Sequence, residues 1–416
     1  MSAALPAEYE ALRLRIRAFI REVVIPAEPR PGVSLRRADR VALQNQAKAA
    51  GVFAPHVSKQ YGGLGVPIEH WPALFMEAGY SPIGPAVLNC MAPDEGNMHM
   101  LGQIATEAQK ERFLRPLAAG EVTSCFGMTE PHPGAGSDPT ALSTHAERVA
   151  CGWRVNGHKR FISGALNASF CVLMAKNDAV ESEGVPAGAT MFLVDMDTPG
   201  MRVGNDLHAT DSAIEGGHPH LHIEDLFVPD ELVLGKAGEG FAYAQVRLGP
   251  GRLTHCMRWL GLAKRAHDTA LDRANSRELF GSPLRELGVA QELLALNEID
   301  LETSIAITAR TSALLGEDHR EGEKLSSIAK VHCSEAIGRI IDRSIQLCGG
   351  DGVTDQLPLA QFAQEVRPFR IYDGSTETHK WAIAKRASSR RRREIEAGEK
   401  PLDRVDPEGR SPWDER

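Results

Sequence analysis

The 416-residue sequence predicts an α+β chain in three parts: a helical N-terminal domain, a middle β domain built as a barrel or sandwich, and a C-terminal helical bundle. Three observations predict it. Apolar residues recur at helical spacing from about residue 7 to 118, and again from Gly238 onward. Between those zones, from Val122 to about Leu234, they gather into runs of strand length. Glycine and proline turns separate the zones, with Gly120 closing the first. The expected boundaries are 1–119, 120–236 and 237–390, followed by a charged, flexible tail at 391–416.

In the first zone Leu12, Ile16, Phe19, Ile20 and Val23 mark an opening amphipathic helix. Its Glu8, Glu10 and Glu22 set it apart from an acid-poor transit peptide. In the second zone Cys125–Met128, Phe170–Met174 and Met191–Val194 read as strands, and Asn156-Gly157 inside Trp153–Phe161 reads as a hairpin turn. In the third, Leu293, Leu294, Leu296, Ile299, Leu301, Ile305 and Ala309 mark a long helix needing neighbours on several sides, as in a four-helix bundle. The tail, with Arg390 to Arg393, is too polar to offset its ordering entropy by burial.

Composition removes several function classes. A net charge of −8 argues against nucleic-acid binding. Apolar runs fall short of the roughly 18 residues a membrane helix needs. Seven scattered cysteines without a C-x-x-C pair read as reduced thiols of a cytoplasmic protein. No G-x-G-x-x-G, P-loop, H-E-x-x-H or G-x-S-x-G occurs. His218, His220 and His222 alternate as one strand face would, but no fourth ligand accompanies them, so no metal is expected.

Three segments carry more. Met128-Thr129-Glu130-Pro131 with Gly136-Ser137-Asp138 is similar to a T-E-P-x-x-G-S-D signature, with two extra residues in the loop. Arg277-Glu278-Leu279-Phe280-Gly281 resembles an R-x-x-F-G segment. Gln346-Leu347-Cys348-Gly349-Gly350-Asp351-Gly352, then Tyr372-Asp373-Gly374-Ser375, resembles Q-x-x-G-G-x-G followed by Y-E-G-T. In this order, on a helix–β–helix layout, they resemble the acyl-CoA dehydrogenase family over about residues 7 to 390. Ala92–Met98 and Gly249–Arg258 look like a subgroup with Asp at the catalytic-base position.

The resemblance implies an FAD enzyme that removes an α-proton and a β-hydride from an acyl-CoA, giving a trans-2-enoyl-CoA. An ordinary side chain cannot accept a hydride, so the chemistry itself requires a cofactor. Asp373 is the implied base, where many members carry Glu; alone, Asp373-Gly374 would be a turn pair. Arg252 is implied beside it, with His255 and Arg258 one helical turn on. Ser137, Arg252, Asp373 and Gly374 would meet the substrate. For the flavin, the resemblance implies Phe126, Met128, Thr129, Gly136, Ser137, Phe161 and Ser163 around the ring. Arg277 and Phe280 fall at the diphosphate of a neighbouring subunit. Gln346, Gly349, Gly350, Ser375 and Glu377 complete the set, Glu377 standing where Gln is common. A homodimer or homotetramer, an electron-transfer flavoprotein as acceptor and a place in fatty-acid β-oxidation follow. A nitroalkane-oxidase-like enzyme on the same scaffold, which also uses Asp as base, and a non-catalytic scaffold are the alternatives.

Overall fold

The computed structural model describes residues 5–212 and 215–399. The N-terminal part opens with α1 (Ala7–Phe19), which buries Leu12, Ile16 and Phe19 and runs on through a wider turn that buries Ile20 and Val24. Then come α2 (Arg37–Ala49), α3 (Trp71–Ala78), the single turn α4 (Gly84–Val87) and α5 (Asp94–Ile104). A last helix joins α6 (Glu107–Gln109) to α7 (Arg115–Ala118) through a π turn, opened by a capping box between Thr106 and Gln109.

The middle part is one eight-stranded sheet. Its strands are β1 (Ser124–Gly127), β2 (His145–Val149), β3 (Gly152–Lys159), β4 (Phe170–Asn177), β5 (Gly188–Asp195), β6 (Met201–Val203), β7 (Leu221–Pro229) and β8 (Val233–Leu234). The order is β6-β7-β3-β2-β4-β5-β8, with β1 paired in parallel to β4. On β4, Phe170, Val172 and Met174 join the core shared with the N-terminal helices, while Cys171, Leu173 and Ala175 join the core on the other face. On β5, Met191 and Leu193 divide from Phe192 and Val194 in the same way. Burial on both faces explains why these strands read as unbroken apolar runs.

The hairpin expected at Asn156-Gly157 is not there. β3 runs straight through, and its register with β7 shifts between Val155 and Gly157, a bulge. Asn156 Oδ1 accepts from the Asp225 N–H at 2.8 Å, and a Cβ at Gly157 would press on Thr144. The hairpin turn lies one strand earlier, at Ala150-Cys151, with Cys151 at φ 61°. Asn-Gly suits either feature, and the apolar pattern on both sides did not discriminate.

The C-terminal part is built on α8 (Gly240–Ser276), the two-stranded ribbon of β9 (Glu278–Leu279) and β10 (Ser282–Pro283), α9 (Gly288–Glu317), α10 (His319–Cys348), α11 (Leu359–Val366) and α12 (Thr376–Glu396). Trp259, Leu260 and Leu262 of α8 pack with Leu301 of α9, Ile337, Ile340 and Ile341 of α10, and Phe362 of α11. Where α3 crosses α8, a Cβ at Gly79 would lie 2.0 Å from the Arg258 carbonyl oxygen, and one at Gly261 would lie 2.1 Å from that of Met76. Only glycines permit that approach, which seats the middle of α8 on the N-terminal domain. α12 continues to Glu396, taking in the first six residues of the expected tail, with Arg391 bonded to Glu394 and Glu399. Residues 400–416 of the tail expected at 391–416 lie outside the described residues.

Candidate active site

Asp373 lies in the turn between Arg367–Arg370 and α12. Its φ is 54° and that of Gly374 is 92°, both left-handed. Asp tolerates this region and glycine adopts it freely. A Cβ at Gly374 would lie 2.6 Å from His379 Nε2, so the position also needs the missing side chain. Three side chains hold the turn by its carbonyls. Arg252 Nε donates to Asp373 O at 3.2 Å, His379 Nε2 lies 3.0 Å from the same oxygen, and Lys330 Nζ donates to Gly374 O at 2.7 Å. Arg252 therefore reaches the backbone of the expected base.

The Asp373 carboxylate meets α8. His255 Nε2 lies 3.0 Å from Oδ2, and 19% of the Asp373 side chain stays exposed. Burial pushes this carboxyl up, but the His255 bond and the guanidinium charges of Arg247 and Arg252 outweigh it and hold the acid well below the usual carboxylate range. His255 is itself lowered, by burial first and then by Arg258. A neutral His255 still donates from Nε2, so we assign the remaining electrostatic support to the two arginines. Next door, Tyr372 Oη accepts from Trp259 Nε1 at 2.6 Å and from Arg258 at 3.4 Å. Burial lowers Lys330 to about 8, leaving it largely protonated at neutral pH, and lowers His379 to about 4.

The two segments carrying the narrower likeness touch each other here. Thr254 Oγ1 donates to Glu95 Oε1 at 2.6 Å, and Arg247 Nε donates to Asn97 Oδ1 at 2.8 Å. Arg247 also lies 4.2 Å over the Phe126 ring, which brings an expected flavin residue to the same wall. Among the described residues, Glu95 Oε2 and Arg258 Nε and Nη1 are buried without hydrogen-bond partners.

The loop after β1 is fixed from below. Glu130 accepts from the N–H groups of Ala135, Ser143 and Thr144, from Ser143 Oγ and from Lys159 Nζ. The Glu130 and Lys159 side chains are 0% exposed. Burial pushes Glu130 up, but Lys159 and the hydroxyl and amide donors outweigh it and bring it to about 2. Burial lowers Lys159 to about 8, opposed by Glu130, so the pair stays ionised at neutral pH. Lys159 also reaches Met128 O at 3.3 Å, and Arg160 N–H donates to Thr129 O at 2.9 Å. Met128 and Thr129 thus lie along the Lys159-Arg160 segment that leads into Phe161. Phe161 is half exposed at φ 58°, and Ser163 Oγ lies 2.9 Å from His218 Nδ1, whose Nε2 faces Asp211 at 3.3 Å. Gly136 and Ser137 are exposed on the loop. His222 stacks on His158, whose Nε2 lies 2.8 Å from His220 Nδ1, and among the described residues no group of three or more histidine, cysteine or carboxylate side chains could hold a metal.

The other expected flavin residues sit at one end of the bundle. Arg277, Gln346, Gly349 and Gly350 are exposed, and Phe280 is 97% exposed at φ 52°. Leu347 packs with Ala270, Ala290 and Leu284, and Arg273 bridges to Asp351 at 2.9 Å, so the three segments form one surface. A Cβ on Gly349 or Gly350 would point into open space. A cation, a bare aromatic ring and two open glycines suit an anionic nucleotide. Ser375 caps α12 by accepting from Thr378 N–H, and Glu377 lies in the first turn, where a backbone N–H lowers it.

Sequence reasoning did not find Lys330 or His379. Lys330 had one signal: it interrupts the apolar stripe of Ala329, Cys333 and Ile337 on α10.

The N-terminal, middle and C-terminal domain models of acyl-CoA dehydrogenases match residues 6–121, 125–226 and 238–388. The chain belongs to the acyl-CoA dehydrogenase family. Enzymes of this family are FAD-dependent oxidoreductases that act on acyl-CoA. "Probable acyl-CoA dehydrogenase FadE2" of Mycobacterium tuberculosis is 34% identical over 349 residues, covering 84% of this chain and 85% of that one. Acyl-CoA dehydrogenase family member 11 of Gallus gallus is 34% identical over 89% of this chain, which spans only 49% of that protein. The butyryl-CoA dehydrogenase structure from Megasphaera elsdenii superposes with a TM-score of 0.82 at 25% identity, covering 93% of this chain and 100% of that one. Among the described residues no helix is long and apolar enough to cross a membrane.

Proposed function

We propose that the chain oxidises an acyl-CoA to a trans-2-enoyl-CoA with Asp373 as the base. The observation that carries this reading is a partly buried, ionised carboxylate in a turn held from three helices, with one oxygen free of hydrogen-bond partners among the described residues. The α C–H breaks, its proton goes to Asp373, and its electron pair stays on the α-carbon. The pair from the β C–H leaves as hydride while the double bond forms. FAD supplies the two-electron sink for that hydride. Entry of the acyl group displaces water from Asp373 and raises its affinity for the proton toward what the step requires. Phe126, Met128, Thr129, Gly136, Ser137, Phe161, Ser163, Ser375 and Glu377 would line the flavin. Arg277, Phe280, Gln346, Gly349 and Gly350 would meet the nucleotide end. Ser137, Arg252 and Gly374 join Asp373 in the substrate set.

A groove of roughly 860 Å³ supports a CoA ester. It lies between the α9–α10 corner and α12, with Arg310, Lys324, Lys385, Arg386, Arg390 and Arg393 on its walls. Arg386 lies close enough to act electrostatically on Arg252, which connects the groove to the base. Six cations around one cleft suit a phosphorylated handle. The bare Phe280 supports a homodimer or homotetramer. An electron-transfer flavoprotein as acceptor and a cytoplasmic role in fatty-acid β-oxidation complete the proposal.

Anaerobic mixing of the flavin-loaded protein with a panel of acyl-CoAs tests the reaction: bleaching of the oxidised flavin with one chain class is the expected result. If only nitroalkanes bleach it, the substrate assignment falls. Asp373→Asn should keep its FAD and lose turnover by about 10³-fold. Normal turnover in that variant would remove Asp373 as the base.

A further inference from the structure

The Asp373 carboxylate has two oxygens in different situations. Oδ2 faces His255 Nε2 at 3.0 Å. Among the described residues Oδ1 has no hydrogen-bond partner, and the side chain keeps some exposure. His255 is buried against the Phe369 and Tyr372 rings, at 5.9 and 4.7 Å between centroids. Its Nδ1 is buried without a partner. A second proton there would leave a buried donor unsatisfied beside Arg258, which costs more than an idle acceptor on a neutral ring. The ring is therefore the neutral tautomer with its proton on Nε2, pointed at Asp373.

We propose that His255 is the positioning residue of the base: its Nε2–H holds Oδ2 and turns Oδ1 toward the α-carbon. This rests on Asp373 being the base. Aspartate is one methylene shorter than the glutamate many relatives carry, so its reach depends on where the carboxylate is turned. The left-handed turn brings the backbone forward, and His255 fixes the side-chain torsion. In the reaction the α-proton bonds to Oδ1, while Oδ2 keeps the His255 bond and the ring stays neutral throughout. His255 touches neither substrate nor cofactor in this role.

The groups around Asp373 come from every element packed on it. α8 supplies Arg247, Arg252, His255 and Arg258; α10 supplies Lys330; α12 supplies His379; α5 supplies Glu95 through Thr254. The guanidinium charges of Arg247 and Arg252 remain when His255 is lost, so its removal changes one hydrogen bond and leaves the main charges on Asp373 in place. Its removal should raise the proton affinity of Asp373 and move the acid limb of kcat, which reports the acyl-bound site, to higher pH.

The experiment compares His255→Phe, which keeps the ring packing, with His255→Gln, whose amide places a donor near the Nε2 position. Flavin content and Tm are measured for each, then flavin bleaching against pH. For His255→Phe the acid limb should rise by about one unit or more, with kcat down about 10- to 100-fold and KM little changed. His255→Gln should restore the limb to near its original place. An unmoved limb in a folded His255→Phe overturns the proposal. If His255→Phe does not fold, a His255→Gln protein with a displaced limb overturns it instead. Asp373→Asn separates the two levels: turnover surviving there refutes the base, whereas its loss with an unmoved His255 limb refutes only the positioning role.

Discussion

The two regions expected to hold the flavin are built in opposite ways. The loop after β1 closes around a pair with no exposure, Glu130 and Lys159, and nearly every donor near that carboxylate is committed to it. The bundle end at Arg277, Phe280, Gly349 and Gly350 carries the part-exposed Arg273–Asp351 bridge instead, and its Phe280 ring stands in the open. An exposed aromatic held at φ 52° gains nothing inside a single chain. The described chain thus closes one of these two regions by itself and leaves the other open to the outside.

Lys159→Met should break the closed half. It leaves Glu130 buried and unpaired, and loss of one partner of a buried ion pair costs roughly 3–5 kcal/mol. Chemical denaturation should show that loss, with flavin content falling alongside because the Met128–Thr129 edge loses its support. A variant as stable as the parent would mean that the amide and hydroxyl donors alone hold the loop.

Arg277→Ala should act on the open half without touching the fold. Arg277 is exposed, so the melting temperature of the flavin-free chain should stay within about 1 °C, since surface changes usually cost under roughly 0.5 kcal/mol. FAD affinity should fall about 10- to 100-fold, the size of one charge-assisted contact. A fall in stability with unchanged FAD affinity would reverse the contrast between the halves.

How much the sequence revealed follows the same division. Segments whose role depends on local pattern were legible: α1, the long α9, and the buried strands β4 and β5 all lie where periodicity put them. The bulge at Asn156-Gly157 was not, because the same dipeptide serves two features and only the pairing with β7 decides between them. At the proposed base, the motifs singled out Asp373 and Arg252, which lie in contact, and His255 was expected one turn from Arg252. Lys330 and His379 act on carbonyls of a turn, one 44 residues later and one six residues earlier, and no spacing rule joins a helix side chain to a distant backbone oxygen.

The smallest effect belongs to the cationic groove. Lys385 lies 5.0 Å over the exposed Trp381 ring on α12, and Arg310 faces it across the groove from α9. Changing both to Gln removes two charges from a solvent-open wall, where each contributes about 1 kcal/mol or less to holding a phosphate. KM for the acyl-CoA should rise roughly 5- to 30-fold with kcat nearly unchanged, because the interaction is equal in the ground and transition states. The rise should shrink as salt is added, since exposed charges are screened beyond about 8 Å at physiological ionic strength. A truncated acyl thioester without the nucleotide should be indifferent to the change. An equal loss for the truncated thioester would show that the groove supports the base through Arg252 and does not bind the nucleotide handle.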